Sequence, residues 1–265
     1  MTERDPAEFA DVDRSADPAA FVRYLDGTNA VDVARDYKQL TFALLEVQDG
    51  DRVLDLGCGT GEDVQALAAM GAHAVGVDSS EAMIAEAAER ATLPARYVLG
   101  NAYDLPFEEA SFDACRADRV FQHLDDPQRA LAELVRVCRD GGRIAVSEPD
   151  WGTVAVDASD RAVTRRLAEY FCDGLRNGWA GRRLRRLLKR CGVQDVAVTP
   201  VPVVLTNLAV ADQMLDLTPT ASRARDAGVI SPSEHDAWVR ELREAAEADE
   251  LFVAFTGYIV SGRKP

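Results

Sequence analysis

Residues 51–81 read DRVLDLGCGTGEDVQALAAMGAHAVGVDSSE and decide the fold of this chain. The apolar run at 52–56 predicts a buried strand, and the glycines after it predict a tight turn, because glycine takes positive φ without a steric penalty. A short helix follows, and a second buried strand at 74–78 ends in Asp78. The stretch is therefore one βαβ unit, and its glycine-rich turn predicts an adenosine-containing ligand at the carboxyl edge of a parallel sheet.

The glycine spacing leaves the kind of cofactor open. A dinucleotide fingerprint has the pattern G-x-G-x-x-G, with an acid about 20 residues further on for the ribose. Here Gly57, Gly59 and Gly61 form G-x-G-x-G, with Asp55 before them and Asp78 seventeen residues after Gly61. A structural glycine turn flanked by two surface acids is the alternative interpretation.

Two stretches together carry a family resemblance. VLDLGCGTG followed by VGVDSS resembles motif I and the acidic strand end of the class I S-adenosylmethionine (SAM) dependent methyltransferases. GNAYDLPFEEASFDA, at 100–114, resembles a pattern of the ubiquinone/menaquinone biosynthesis methyltransferase-like (type 11) group. The resemblance covers about residues 45–152. It implies SAM as cofactor and a Rossmann-like α/β fold with seven strands in the order 3-2-1-4-5-7-6, the last strand antiparallel.

The resemblance also implies which residues bind SAM. Asp55 would face the ammonium or sulfonium group, and Asp78 would accept hydrogen bonds from the ribose diol. The other implied cofactor contacts are Tyr37, Gly57, Gly59, Gly61, Ser79, Met83, Asn101, Ala102 and Asp118. Asn101 stands where the family has an acid, and its amide carbonyl can still accept the adenine amino hydrogen. Arg35 is a further candidate for the methionine end of the cofactor.

One histidine is a candidate for proton transfer. His123 follows the fourth predicted strand, where reacting groups of open α/β sheets lie, and a histidine can act as general base near neutral pH. It falls in the family's H-L-D-D-P pattern, which occurs in members that methylate different atoms. The alternative is a histidine that only orients its loop. Arg116 or Arg119 could instead meet a substrate carboxylate or phosphate, and Trp151 is a candidate wall of an apolar substrate pocket.

The remaining segments predict the domain organisation. We expect an N-terminal helical lid over residues 1–45, with a loose arm at 1–18, and a SAM-binding domain over residues 46–265. That domain would carry a helical insertion at about 206–250, with helices at 208–217 and 233–248 joined by a loop of small residues.

Two more elements of the sheet are predicted from local signals. Pro200 and Pro202 interrupt the strand at 193–205, which favours an edge position because proline cannot donate to a strand ladder. The fifth strand is expected at 143–147, and the segment 148–152 is expected to follow it at the active edge of the sheet.

Composition and charge exclude several classes of partner. The net charge is −15, from 30 basic and 45 acidic residues, which disfavours nucleic acid and anionic membrane surfaces. No apolar run reaches about 18 residues, so a membrane span is not expected. The five cysteines form no C-x-x-C pair, and no metal site is expected. The expected protein is cytoplasmic, and a monomer or homodimer.

The function predicted from these residues is methyl transfer from SAM to O, N or C of a small molecule, in natural-product or quinone-type metabolism. An NAD(P)-dependent oxidoreductase is the first alternative, and a comparison of cofactor binding separates the two. A non-catalytic SAM-binding protein is the second, and turnover of any acceptor would eliminate it. A macromolecular methyltransferase is the third, and the acidic charge argues only against nucleic acid.

Overall fold

A seven-stranded sheet forms the centre of the molecule in the computed structural model, which describes residues 12–15, 17–29 and 32–265. Most of the expected arm at 1–18 lies outside these residues. In chain order the strands are β1 Arg52–Leu56, β2 His73–Asp78, β3 Arg96–Leu99, β4 Phe112–Asp118, β5 Cys138–Val156, β6 Gln194–Leu205 and β7 Val253–Arg263. Their order across the sheet is β3-β2-β1-β4-β5-β7-β6, and β7 runs antiparallel to both neighbours. The predicted fold class and strand order are confirmed.

Helices cover both faces of this sheet and extend beyond one end of it. In chain order they are α1 Pro18–Asn29, α2 Asp32–Leu45, α3 Glu62–Ala69, α4 Glu81–Arg90, α5 Pro127–Val137, α6 Arg161–Asp173, α7 Ala180–Arg190, α8 Leu208–Leu215, α9 Leu217–Asp226 and α10 Pro232–Glu247. In the part of the chain that the structure describes, none of these helices is both long and apolar enough to cross a membrane.

The βαβ unit at β1, α3 and β2 follows directly from its sequence. Val53, Leu54 and Leu56 are buried in β1, and parallel pairing with β2 continues to Leu56 opposite Val77. The backbone N–H of Gly57 then donates to the carbonyl of Val77 at 2.7 Å, which closes the turn at the sheet edge. This turn directs the start of α3 across the carboxyl ends of the strands.

The fifth strand is longer than the predicted 143–147. β5 stays paired with β4 only as far as Ser147, opposite Asp118, but its ladder with β7 continues past that point. Pro149 is compatible with this extension, because its missing N–H falls where β5 has a partner on one side only. The segment predicted to follow the strand is therefore part of it, and carries Trp151 along the active edge.

The predicted loop of small residues in the insertion is wrong, because α9 occupies it. Ala221 and Ala224 are fully buried, and their small side chains let α9 pack closely against α8 and α10. The stretch was predicted as a loop because many of its side chains are small. Alanine and arginine are nevertheless strong helix formers, and they favour the helix that is observed.

Two hydrophobic cores are the largest in the described part of the chain, and a third, formed by residues of α2, α3, β1 and β4, is smaller. The first lies under β1, β2, β4 and β5 and is closed by α5 and α7. The second lies between the extended part of β5, the far ends of β6 and β7, and the helices α6, α8, α9 and α10. The second core holds the insertion against the same sheet edge that carries the glycine turn.

Candidate functional site

A cavity of about 500 Å³ opens at the carboxyl edge of the sheet. Its walls come from the ends of β1, β2, β4 and β5, from α1 and α2 on one side, and from α6, α8 and the β6–β7 pair on the other. The volume lies within the range of small-molecule sites, roughly 300–1,000 Å³. The predicted site residues that line it are Tyr37, Asp55, Gly57, Gly59, Asp78, Ser79, Met83, Asn101, Ala102, Asp118 and His123.

Asp78 is fixed at the end of β2 by backbone donors. Its Oδ2 accepts from the N–H of Gly59 at 2.9 Å, and its Oδ1 accepts from the N–H of Ser80 at 3.0 Å. Burial raises the pKa of this carboxyl, while the backbone donors oppose the shift. Because each carboxylate oxygen offers two lone pairs, both oxygens can accept a further hydrogen bond from a ligand in the cavity.

The three glycines of the turn have different structural roles. Gly57 and Gly59 both have positive φ, at 70° and 49°, and both line the cavity. Gly61 does not line it, although it was predicted as a cofactor contact. It precedes α3 with φ 81°, where an added Cβ would meet Ala87 at 2.9 Å and Tyr97 at 2.8 Å. In this chain Gly61 therefore allows close packing of α3 against its neighbours.

The residues predicted for the adenine side lie together at the ends of β2 and β3. Met83 is buried behind the acid of β2 and packs with Val12 and Phe21, so it joins the cavity wall to the N-terminal segment. The Oδ1 of Asn101 accepts from the N–H of Tyr103 at 2.9 Å, which leaves one lone pair for a ligand donor. Ser79 and Ala102 complete this side of the cavity wall.

A buried ionic cluster lies beneath the opposite end of the cavity. Arg116 on β4 is fully buried, and its Nη1 lies 3.0 Å from Asp55 Oδ1 and 2.8 Å from Asp63 Oδ2. Lys38 from α2 reaches the other oxygen of Asp63 at 3.0 Å. Asp118 lies 3.6 Å from Arg116 Nη2, and its Oδ1 is buried without a hydrogen-bond partner in the described part of the chain. A ligand cation or ammonium group would satisfy that oxygen.

The cluster divides its carboxyl groups into two kinds. Burial raises the pKa of Asp55 to about 7, and the attraction of Arg116 offsets this only in part. Burial acts on Asp63 in the same direction, but Arg116 and Lys38 outweigh it and lower the pKa of Asp63 to about 2. Asp63 is therefore the more acidic of the two carboxyl groups, and Asp55 holds its proton more readily.

Helix α2 connects the N-terminal segment to this cluster. The hydroxyl of Tyr37 donates to Asp118 Oδ2 at 2.9 Å, and Lys38 donates to Asn29 at the end of α1 at 3.0 Å. Arg35 is exposed and does not line the cavity. Arg119 does line it, and its φ of 57° turns the chain sharply out of β4. A non-glycine residue in this strained conformation is typical of functional sites.

His123 lies on a short 3-10 turn, Phe121–His123, that follows β4. Burial, with the charges of Arg119 and Arg176, lowers the pKa of His123 to about 3. An imidazole that binds protons so weakly is a poor general base near neutral pH. The environment thus argues against the predicted catalytic role, and favours the alternative in which His123 is part of the loop that shapes the cavity.

Several residues of the site were missed or only partly predicted. Arg116 was one of two arginines predicted as a possible substrate contact, but it is the buried hub of three carboxylates. An arginine inside the buried strand FDACRAD was the available signal, since a fully buried arginine is rare unless it is paired. Glu148 was placed at the active edge of the sheet with the segment 148–152, but no role was predicted for it. It is fully buried, lines the cavity and lies one residue after the last β4–β5 pair.

The far half of the cavity is mainly apolar, although Gln122, Arg176 and Asp216 also line it. Trp151 is its central side chain, with ring centroids 5.3 Å from Phe171 and 5.0 Å from Phe255, and its indole N–H donates to Gln122 Oε1 at 2.6 Å. The other apolar residues of this compartment are Leu175, Val201, Val203, Met214 and Leu215. One cavity therefore joins a polar half at the glycine turn to an aromatic half at the insertion.

Comparison with known proteins identifies a methyltransferase domain in this chain. Residues 54–146 match the Methyltransf_11 family, a methyltransferase domain. An uncharacterized 37.1 kDa protein in transposon Tn4556 of Streptomyces fradiae is 39% identical over 245 residues, which cover 90% of this chain and 70% of that protein. Demethylmenaquinone methyltransferase of Clavibacter sepedonicus is 43% identical over 101 residues, 37% of this chain and 41% of that protein.

A solved structure of similar fold is phosphoethanolamine N-methyltransferase 2 of Haemonchus contortus in complex with SAM. It superposes with a TM-score of 0.54 at 21% identity, covering 86% of this chain and 52% of that one. The demethylmenaquinone methyltransferases are matched over 41% to 56% of their own length. The chain belongs to the class I SAM-dependent methyltransferases.

Proposed function

We propose that this protein transfers the methyl group of SAM to a small molecule with an aromatic or quinone-type ring. The observation that carries the proposal is the single cavity with two halves. The polar half has the glycine turn and Asp78, and the apolar half has Trp151 and the side chains around it. A ring system in the apolar half would lie beside a cofactor held in the polar half.

The residues of the polar half fit SAM by their chemistry. Asp78 offers two oriented oxygens to a diol, and the unpaired Oδ1 of Asp118 suits an ammonium group. Arg119 at the cavity wall would meet the cofactor's carboxylate. Asp55, whose pKa is about 7, would ionise fully next to a cation. When bound, SAM supplies an activated methyl group, and these side chains hold it in place.

The N-terminal helices are proposed as a lid. Residues 1–45 would form it, and residues 46–265 the SAM-binding domain with an insertion at about 206–250. Tyr37 and Lys38 attach α2 to the floor of the site through Asp118 and Asp63. Leu25 of α1 lies over Gly59, since a Cβ added there would come within 3.0 Å of its side chain. A lid held by these contacts would exclude water from the reacting groups.

An apolar compartment inside a cavity favours a small acceptor over a protein surface. One relative is named for demethylmenaquinone, a quinone, which agrees with an aromatic acceptor in this compartment. The net charge of −15 supports our proposal that nucleic acid and anionic membranes are not partners. A cytoplasmic monomer or homodimer remains our expectation.

Thermal unfolding with added ligands tests the cofactor half of the proposal. SAM or S-adenosylhomocysteine at about 100 times its Kd should add about 2.7 kcal/mol of stability, and NADH should add none. Asp78→Ala should abolish this gain. Asp113→Ala is a matched control, because Asp113 lies at the opposite edge of the sheet, bound to Arg139 and to the N–H of Arg52. The control should keep the full ligand-induced shift.

An acceptor screen tests the second part of the proposal, which is the class of acceptor. Purified protein with SAM is offered phenols, naphthols, hydroquinones, amines and thioethers, and formation of S-adenosylhomocysteine is measured. Turnover of ring-bearing acceptors supports the proposal. Ligand stabilisation without turnover of any small acceptor would point to a non-catalytic SAM-binding protein or to a macromolecular substrate.

A further inference from the structure

Glu148 is a buried carboxyl group at the boundary between the two halves of the cavity. It is fully buried, and it is one of the residues that line the cavity. Ser147, just before it, pairs with Asp118 at the end of β4, so Glu148 lies at the sheet edge that carries the proposed cofactor contacts. Trp151 follows on the same strand and begins the apolar compartment. None of the cofactor roles proposed above uses Glu148.

Only one of its two oxygens is satisfied. Oε1 accepts from the backbone N–H of Val120 at 2.7 Å and from that of Phe121 at 2.5 Å. Oε2 is buried and makes no hydrogen bond with any residue that the structure describes. A buried polar atom without a partner destabilises the folded protein, because it has lost its hydrogen bonds to water. A ligand that brings a hydrogen-bond donor to Oε2 would satisfy this atom. Because Oε2 is buried in the ligand-free protein, the side chains of the cavity wall must move aside when that donor binds.

We propose that Glu148 Oε2 receives the proton of the acceptor's hydroxyl group during methyl transfer. This inference rests on the proposed function and narrows its acceptors to those with an acidic O–H, such as phenols and hydroquinones. As the proton passes to Oε2, the electron pair of the O–H bond stays on the acceptor. The acceptor forms its new bond to the methyl carbon, the C–S pair stays on sulfur, and the products are the methylated acceptor, a thioether and a protonated Glu148.

The ionisation of Glu148 suits this task. Burial raises its pKa to about 8; the N–H groups of the loop lower it and Asp118 raises it further. Because the carboxylate is the active form, the rate should rise with pH and level off above about 8. Asp118 on β4 and Tyr258 opposite on β7 face Glu148, and His123 ends the loop whose N–H groups bind it. Asp150 lies two residues further along β5, where it forms an ion pair with Arg182 of α7.

The kinetic test compares Glu148→Gln with the wild-type enzyme on 2-naphthol. Glutamine keeps an oxygen for the loop donors but cannot take the proton, so kcat should fall by about 100-fold or more, with a smaller change in KM. The rise of kcat toward pH 8 should disappear. A nitro-substituted naphthol, already ionised at neutral pH, needs no base, and the variant should methylate it at a rate close to that of the wild type.

A second readout needs no turnover. Binding of 2-naphthol to the S-adenosylhomocysteine complex is measured by calorimetry at pH 7 in two buffers of different ionisation enthalpy. If the naphthol O–H donates to an ionised Glu148, the wild type should release close to one proton, whereas Glu148→Gln should release none. Asp150→Asn is the matched control, since Asp150 is buried on the same strand but does not line the cavity. It should keep the proton release and the pH profile.

Several results would overturn the assignment. Equal losses in Glu148→Gln and Asp150→Asn, an unchanged pH profile, or no recovery with the acidic naphthol would leave Glu148 as a structural anchor of the loop. Turnover of thioethers or tertiary amines without turnover of any phenol would refute the role of Glu148 and leave the methyltransferase function intact. Failure to methylate any acceptor would remove the proposed function and this inference with it.

Discussion

Asp55→Asn should stabilise the ligand-free protein at neutral pH, although it removes a buried ion-pair partner. The pKa of Asp55 is about 7 in the folded protein, against 3.8 ordinarily. At about 1.36 kcal/mol per pKa unit, this difference opposes folding at pH 7 by up to about 4 kcal/mol. Asparagine keeps a carbonyl for Arg116 and carries no charge to desolvate. The raised pKa already includes the attraction of Arg116, so the expected net gain is up to about 4 kcal/mol.

The sign of the pH dependence follows from the raised pKa. A group whose pKa is higher in the folded state contributes its full stability below the unfolded value of 3.8 and loses it as the pH rises through 7. The stability of Asp55→Asn relative to the wild type should therefore grow by about 3 kcal/mol between pH 4 and pH 7. Urea unfolding of both proteins at pH 4, 5, 6, 7 and 8, without ligand, measures this difference.

Asp63→Asn is the control with the opposite sign. Asp63 has a lowered pKa of about 2, so it contributes stability above 3.8 that is lost as the pH falls through 2. Its replacement should cost about 2 kcal/mol at pH 7 and less in acid. A constant difference between Asp55→Asn and the wild type from pH 4 to pH 8 would refute the reasoning. Asp55→Asn should also reduce the stabilisation by SAM, since the negative charge of Asp55 that would face the cofactor is lost.

Three further substitutions test the fold around the site by urea unfolding. Gly57→Ala should cost about 2–4 kcal/mol, because the φ of Gly57 is 70° and the added Cβ would lie 2.3 Å from the side chain of Val120. Gly192→Ala is its control. The φ of Gly192 is 83°, no atom of the described residues other than its chain neighbours lies within 4 Å of the added Cβ, and the expected cost is about 1–2 kcal/mol. Ser231→Ala removes the capping box of α10 and should cost about 1 kcal/mol. Trp151→Phe should cost about 1–3 kcal/mol, because a buried hydrogen-bond acceptor loses its donor.

Each of these expectations has a clear contrary result. Equal costs for the two glycine substitutions would mean that the backbone conformation alone, and not the contact with Val120, restricts the turn. An unchanged stability in Ser231→Ala would mean that water replaces the cap. The loss of ligand-induced stabilisation in Trp151→Phe would mean that the indole belongs to the cofactor half of the cavity, and not to the acceptor half.

The parts of the fold that could be predicted depend on short stretches of sequence. β1, the glycine turn and β2 lie where the pattern at 51–81 predicts them, because burial, turn and strand signals all fall within about thirty residues. The edge position of β6 was favoured by its two prolines, in agreement with the strand order that the resemblance implied. The full strand order came from the family resemblance, since periodicity does not show which strands are neighbours.

The unpredicted parts arise from contacts between distant segments. Arg116 is a hub only because β1, α3 and β4 bring Asp55, Asp63 and Asp118 to one place. The residues next to Glu148 in sequence do not show that β5 extends beyond the end of β4. They also do not show that the loop after β4 covers the carboxyl group of Glu148. The low pKa of His123 likewise depends on burial and on Arg176, far along the chain.

The prolines of β6 also bear on how the protein behaves at high concentration. Residues of equal parity in a strand point their N–H groups to the same side, and prolines 200 and 202 can only occupy positions whose N–H faces away from β7. The outer row of donors is therefore interrupted at its middle, between the exposed Val198 and Val204. At the other edge, β3 has only four residues. Neither border is a good template for a strand of a second molecule, so the sheet resists growth into aggregates.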